Sequence, residues 1–160
     1  MNKQKYCSFY VSDIHLVIML LPYINEKIKE NREIITIFET DISESVKKVR
    51  ENINLEEFRA KKLMEIGWNN KRNIDELNLE NTVVLVMGKN KFIEDVNIKL
   101  DSREESFTIV NCFEFMQSSE MIDGILNMHE KIINSRGENE IEEIFTEYTN
   151  KSNKKITIMK

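Results

Sequence analysis

The chain has 160 residues, of which 41% are hydrophobic and 32% are charged, a globular composition that excludes an intrinsically disordered protein. Its formal net charge of −5 argues against a sequence-independent electrostatic grip on nucleic acid, which needs clustered lysine and arginine. Its two cysteines, Cys7 and Cys112, lie far apart, which excludes a disulfide framework and a cysteine-rich zinc site and favours a reducing cytoplasm.

The length suits one domain over residues 1–160, with a single hydrophobic core. The N-terminus lacks the apolar core and small-residue cleavage site of a signal peptide. The longest apolar stretch, residues 16–21, is far below the roughly 20 residues that a membrane helix needs. The sequence therefore predicts a cytoplasmic protein that does not span a membrane.

Strand and helix signals alternate from the N-terminus onward. Residues 6–11 predict a first strand, and Ser12 and Asp13 are good N-cap residues for the apolar-rich helix predicted over 14–29. Pro22 should kink or divide this helix, because proline lacks the amide donor and clashes with the preceding turn.

A second strand–helix unit follows. The β-branched run over 33–38 is the strongest strand signal, and Asp41 or Ser43 is expected to cap the next helix. Residues 55–68 are ambiguous, and we interpret them as a helix followed by a short third strand in LMEIGW. The polar stretch over 69–81 predicts a loop with one helical turn.

The strand over 82–87 (TVVLVM) is nearly all apolar, as expected of a central strand covered on both faces. Gly88 ends it, and apolar residues from 92 to 100 indicate a helix. Residues 106–112 predict the fifth strand.

The last third of the sequence predicts a long helix with an apolar stripe over 121–133, capped by Ser118 or Ser119 and stopped by Gly137. A further helix is predicted over 141–148, and the terminal run KKITIMK predicts a lysine-flanked edge strand. Repeated strand–helix units with apolar strands predict an α/β fold, with a mostly parallel, doubly wound sheet and helices on both faces.

Ligands of such sheets bind beyond the carboxyl ends of the strands, so the residues that follow each strand are the candidates. The predicted ligand-binding residues are Ser12, Asp13, Glu39, Trp68, Asn69, Lys89 and Glu114. Each has a structural alternative. Ser12 and Asp13 suit a helix N-cap, and Trp68 suits core packing.

Phosphate binding of the P-loop kind is not expected. The turn after the first strand has no glycine and no GxxxxGKS/T motif, whereas a phosphate cradle needs glycine so that backbone amides can close on the oxygens. The segment 88–91 (GKNK) could still hold an anion, or it is a turn glycine beside solvated lysines. Glu39, Asp41 and Glu114 could gather around Mg²⁺, but carboxylates at helix N-termini are also favoured by the helix dipole, so no metal is predicted.

The two histidines, His15 and His129, restrict catalysis. There is no HExxH pair and no GxSxG elbow, so the sequence predicts no catalytic residue and no cofactor. His129 lies among apolar residues, which favours a packed, hydrogen-bonded histidine.

Two segments resemble MEDS domains, which are sensory domains of bacterial and archaeal regulators. The residues that carry the resemblance are Phe9-Tyr10, Asp13 and Pro22-Tyr23 in the first segment, and Cys112, Phe113, Phe115 and His129 in the second. The resemblance implies a RecA-like, P-loop-NTPase-like fold that lacks the Walker A loop and senses a signal. It also implies a separate signalling protein as the partner.

The function expected from the sequence is that of a stand-alone sensory or regulatory domain, which binds a small ligand or a protein partner without catalysis. The alternative is a nucleotide- or phosphate-dependent enzyme that uses Lys89 and Lys91 at the strand ends. A third possibility is a homo-oligomer joined through the lysine-flanked terminal strand.

Overall fold

The structure is a computed structural model that describes residues 3–54, 56–68 and 73–145. Its strands are β1 (Lys3–Tyr10), β2 (Glu33–Phe38), β3 (Thr82–Met87), β4 (Phe107–Glu114), β5 (Lys131–Asn134) and β6 (Gly137–Glu140). Its helices are α1 (Asp13–Lys29), α2 (Ser43–Asn52), α3 (Glu57–Glu65), α4 (Asn90–Asp101), α5 (Phe115–Ser118), α6 (Ile122–Asn127) and α7 (Ile141–Ile144). A 3₁₀ turn over Ile74–Glu76 supplies the single helical turn predicted in the polar loop.

The strands form one sheet in the order β2-β3-β4-β1-β5-β6. The pairs from β2 to β5 are all parallel, and only the last pair, β5 with β6, is antiparallel. The prediction of a mostly parallel sheet is therefore confirmed for the described residues.

Helices cover both faces of this sheet, as predicted. Along β3 the side chains alternate, so that Val83 and Leu85 join one buried cluster while Val84 and Val86 join the other. The first cluster contains the inner faces of α1, α2 and α3, and the second contains those of α4, α6 and α7. Every residue of β3 is buried, which explains why its sequence is nearly all apolar.

The first helix is not divided at its proline. The α1 helix runs without a break from Asp13 to Lys29, and Pro22 lies on its exposed side, where the ring points away from the core. The next helix begins differently from the prediction. Ile42 takes the N-cap position of α2, and Asp41 bonds to the amide and hydroxyl of Ser43 (2.8 and 2.6 Å).

The expected third strand in LMEIGW is absent, so that prediction is wrong. The α3 helix continues to Glu65, and the chain then folds back so that the indole Nε1 of Trp68 donates to the carbonyl of Leu63 (2.9 Å). The loop carbonyls accept from elsewhere in the chain, since Gly67 accepts from the hydroxyl of Thr36 and Trp68 from the amide of Ile42 (3.1 Å). Among the described residues, β2 pairs only with β3. The strand predicted as the fifth is consequently the fourth, β4.

The prediction of a long helix with an apolar stripe over 121–133 is also wrong. Only Phe115–Ser118 and Ile122–Asn127 are α-helical, and Ile132 and Ile133 lie in β5 on opposite faces of the sheet. Ile125 and Ile132 are seven residues apart, a spacing that also suits a helix, and this caused the error. Gly137 does not stop a helix; it adopts φ +91° where the β5–β6 hairpin closes.

Some predictions fall on residues outside the described ranges. These are Asn69, the end of the predicted helix over 141–148 and the terminal run KKITIMK, so a homo-oligomer through that run stays a prediction. Within the described ranges, the helices are too short or too polar to cross a membrane. Cys7 and Cys112 are buried in strands, as expected, and burial raises the pKa of the Cys7 thiol to about 12.

Candidate functional site

The predicted crevice lies at the carboxyl ends of β1 and β4. After β1 the chain crosses to the far edge of the sheet to form β2, whereas after β4 it turns the other way to form β5. Tyr10 and Glu114 are partners at this end of the two strands. The connections that leave these two neighbouring parallel strands therefore run toward opposite edges of the sheet. This makes the gap between them the topological switch point, where open α/β sheets bind ligands.

The polar groups after β1 bond mainly to one another. The Ser12 hydroxyl accepts from the His15 amide (3.1 Å), which makes Ser12 the N-cap of α1. The His15 side chain also bonds within this turn, since its Nδ1 accepts from the amide of Val11 (3.0 Å). Asp13 is exposed in the first helical turn, where its charge stabilises the helix dipole. The cap role that the sequence offered for Ser12 is thus present.

Glu39 and Lys89 do meet, but through the backbone of Lys89. The Glu39 carboxylate accepts from the Lys89 amide (2.7 Å), at the N-terminus of α4 where a free anion was considered. The Lys91 ammonium pairs with Glu94 and Asp95 on the exposed side of the helix (3.6 and 3.1 Å). The chain therefore supplies an anion of its own to this amide.

Gly88 allows that close contact. A Cβ at Gly88 would lie 2.7 Å from Phe92 Cδ2 and 2.8 Å from both Cβ and Oε1 of Glu39. We expect Gly88→Ala to lower the free energy of unfolding by about 1.5 kcal/mol, because Glu39 and Phe92 must move. Urea unfolding would measure the change.

Gly124 is the matched control for that substitution. A Cβ there meets no atom within 4 Å, and the residue lies inside α6. Gly124→Ala should leave stability unchanged or raise it by up to about 1 kcal/mol through helix propensity. Equal losses from the two substitutions would contradict the role assigned to the Gly88 contact.

The remaining predicted residues are separated. Trp68 is buried (3% exposed) and packs edge-on against Phe38 (5.7 Å between ring centroids), so it belongs to the core. Glu114 is half-buried at the end of β4, near the buried Tyr10, whose pKa burial raises well above its ordinary value. Within the described part of the chain, no group of three or more His, Cys, Asp or Glu side chains is arranged to hold a metal ion.

A separate opening lies on the face of the sheet beneath α4 and α6, a surface that we call the α4–α6 groove. Its volume is about 350 Å³. The groove is lined by Lys5, Asn90, Ile93, Glu94, Asn97, Ile98, Asp101, Asn111, Phe113, Met121, Gly124, Ile125, Met128 and His129. Contacts fix α4 at both ends of the groove, from Ser118 to Asn90 (3.3 Å) and from Lys5 to Asp101 (3.0 Å).

The walls of the groove are apolar and partly open to solvent. Ile93, Ile125 and Phe113 are buried, whereas Ile98 is 64% exposed, Met121 46% and Met128 69%. Single exposed apolar residues are ordinary, but here Ile98 on one wall and Met121 and Met128 on the other leave apolar surface exposed around a single opening.

The floor of the groove is a closed hydrogen-bond network. The side-chain nitrogen Nδ2 of Asn97 donates to the carbonyl of Ile93 and to Asn111 Oδ1 (both 2.8 Å). In return, Asn111 Nδ2 donates to Asn97 Oδ1 (3.1 Å) and contacts Nε2 of His129 (2.9 Å). The other ring nitrogen, Nδ1, contacts the carbonyl of Ile125.

Two backbone carbonyls decide the protonation of His129. The carbonyl of Ile93 can only accept, so the side-chain atom of Asn97 beside it must be Nδ2. Asn97 Oδ1 then faces Asn111 and accepts from its Nδ2, which fixes the orientation of the Asn111 amide as well. The carbonyl of Ile125 likewise can only accept, so Nδ1 of His129 must carry a proton. Nε2 must then accept from Asn111, so the ring is neutral. The pKa of His129 is lowered from 6.5 to about 4: burial is the largest cause, the hydrogen bond to the Ile125 carbonyl opposes it, and the nearby Lys5 charge adds to the lowering.

A second cavity, of about 370 Å³, lies at the amino end of β2. It is polar, and its Arg32 donates to the carbonyl of Thr82 (2.9 Å) and to the hydroxyl of Thr108 (3.1 Å). Arg32 thereby ties the start of β2 to β3 and β4, which is a structural role.

No family model, curated protein or solved structure matches this chain. The case for function therefore depends on the geometry of the chain itself. The sequence analysis missed the α4–α6 groove, although one signal pointed to it: Asn111 is a lone amide in the buried strand FTIVNCFE. The α4 residues that line the groove also recur at helical spacing, at 90, 93, 94, 97, 98 and 101.

Proposed function

We propose that this chain is a non-catalytic sensory or regulatory domain that binds its ligand in the α4–α6 groove. The observation that carries the proposal is the groove itself, in which apolar walls surround a polar floor whose hydrogen bonds are mutually satisfied. Ligand sites are typically concave and mostly apolar, with a few fixed polar groups. A floor without unmet donors stays stable when the groove is empty or when an apolar ligand fills it.

The sensory role rests on the resemblance to MEDS domains, and the RecA-like fold is part of the same proposal. The strand order supports it, since β1 lies between β4 and β5 with β2 at the far edge, as expected of a RecA-like core. The absence of a glycine-rich loop after β1 also fits a domain of this type that does not bind a nucleotide.

The alternative, a nucleotide- or phosphate-dependent enzyme, has less support. The amide of Lys89 already holds the Glu39 carboxylate, and Ser12 and His15 bond to the turn that contains them. The thiol of Cys7 is buried and its pKa is raised to about 12, so it is a poor nucleophile.

The test uses Nile red, a neutral apolar dye that fluoresces when it leaves water. We expect saturable binding to the wild-type chain and binding at least about tenfold weaker to Gly124→Leu, since Gly124 lines the groove and has open space in which a larger side chain would take up part of its volume. Ile18→Ser is the control, because Ile18 is exposed on α1, on the other face of the sheet.

Thermal unfolding of each variant would confirm that the groove is blocked rather than the fold lost. Equal binding of the dye to the wild type and to Gly124→Leu would place the apolar site elsewhere. Loss of binding in Ile18→Ser alone would assign the site to α1 and reject the groove.

A further inference from the structure

We propose that the occupant of the α4–α6 groove is a basic amphipathic helix of a partner protein. This proposal rests on the proposed function, because it names the ligand of the same groove. Three properties of the groove lead to it: the exposure of its rim, its shape along α4 and the charge around it.

The rim is more exposed than a small ligand could cover. Ile98 on one wall and Met128 on the other remain 64% and 69% exposed, while the buried apolar residues lie at the base of the groove. A small molecule seated at the base would leave both rim side chains in water. A helix laid along the groove covers the base and the rim together, and it would bury the apolar area that the free chain leaves exposed.

The shape of the groove suits a helix. It follows α4 from Asn90 to Asp101, which is about 17 Å at the helical rise of 1.5 Å per residue. That length accommodates apolar anchors at positions i, i+3 or i+4, and i+7 of a bound helix. Met121 and Met128 line the opposite wall, and methionine adapts its shape to different apolar partners.

The charge around the groove is mainly negative. Glu94 and Asp101 line the α4 wall, and two exposed carboxylates, Glu120 and Glu130, are adjacent in sequence to the lining residues Met121 and His129. Lys5 is the positive group at the base, and it already pairs with Asp101 (3.0 Å). Lys91 pairs with Glu94 from the outer side of α4. The surplus of carboxylates complements lysine and arginine on the solvent face of the bound helix.

The experiment uses fluorescein-labelled synthetic peptides of about 14 residues, or four helical turns. One peptide contains leucine and lysine in amphipathic helical order, the second has the same composition in scrambled order, and the third replaces every lysine by glutamate. Anisotropy with the full chain should show the ordered basic peptide binding at least about tenfold more tightly than either of the others.

Two variants locate the binding. Gly124→Leu reduces the volume of the groove, and Ile98→Lys adds a positive charge at an exposed rim position where folding is not at risk. Each should weaken binding of the ordered basic peptide at least about tenfold, whereas Ile18→Ser should not change it.

The proposal is overturned if the scrambled or acidic peptide binds as tightly as the ordered basic peptide, or if Gly124→Leu and Ile98→Lys bind it like the wild type. Nile red separates this failure from failure of the proposed function. If Gly124→Leu still abolishes dye binding, the groove takes a small apolar ligand and only the helix is rejected. If the dye also binds Gly124→Leu as tightly as the wild type, both proposals fail.

Discussion

Lowering the pH from 7 to 4 is expected to destabilise the folded chain by about 2 kcal/mol through His129 alone. The folded pKa of about 4 lies below the ordinary value of 6.5, so between these values the unfolded chain binds a proton that the folded chain excludes. The contribution of His129 is fully present above pH 6.5 and is lost as the pH falls through 4. Each pKa unit is worth about 1.4 kcal/mol, and solvent reduces the total because the ring is half-buried beside the groove.

Urea unfolding of the wild type and of His129→Phe at several pH values would measure this contribution. Both proteins share the carboxylates that titrate in the same pH range, so the difference between their free energies of unfolding at each pH gives the contribution of His129. His129→Phe should lose stability at pH 7, because it removes the contacts to Asn111 and Ile125, but it should lose less on acidification. Parallel pH profiles for the two proteins would show that His129 is not held neutral.

Asn111→Asp is expected to have the opposite effect on the same histidine. The substitution places a buried carboxylate where Asn111 Nδ2 now contacts Nε2 of His129, 2.9 Å away. A carboxylate can only accept, so the ring gains a partner when it is protonated, and its pKa should rise from about 4 to above its ordinary value. At pH 8 the variant should be about 3 kcal/mol less stable than the wild type, because Asn97 Oδ1 loses its donor and faces a negative charge.

NMR titration of the His129 Cε1 proton would measure the pKa directly. Asn111→Ser is a suitable control, because it breaks the network without adding a charge and should not raise the pKa above the ordinary value. A pKa that stays near 4 in Asn111→Asp would mean that His129 and residue 111 do not interact as the network requires.

The regular parts of the fold were predictable from local patterns. The strands at 33–38 and 82–87 have the predicted bounds, since β-branched and apolar runs of that length suit buried parallel strands. The helix from Asp13 was also predictable, because its cap and its apolar side are encoded within a few residues.

The errors arose where tertiary contacts decided between local alternatives. Ile132 and Ile133 fit a helical stripe, but pairing of β5 with β1 places them on opposite faces of the sheet. The predicted site had a similar limit. The sequence placed Glu39 and Lys89 at one edge, but it could not show that the carboxylate would reach the Lys89 amide. The α4–α6 groove depends on the spacing of two helices, which no local pattern encodes.

The contact between Glu39 and Lys89 has a consequence for any anion in solution. The carboxylate lies 2.7 Å from the amide at the start of α4, and its attachment to the end of β2 keeps it near that amide. A phosphate would have to displace the Glu39 carboxylate, which has a high effective concentration at this amide because it belongs to the same chain. Replacing Glu39 by glutamine would weaken that competitor, and the N-terminus of α4 would then be open to exchange with ions from the solvent.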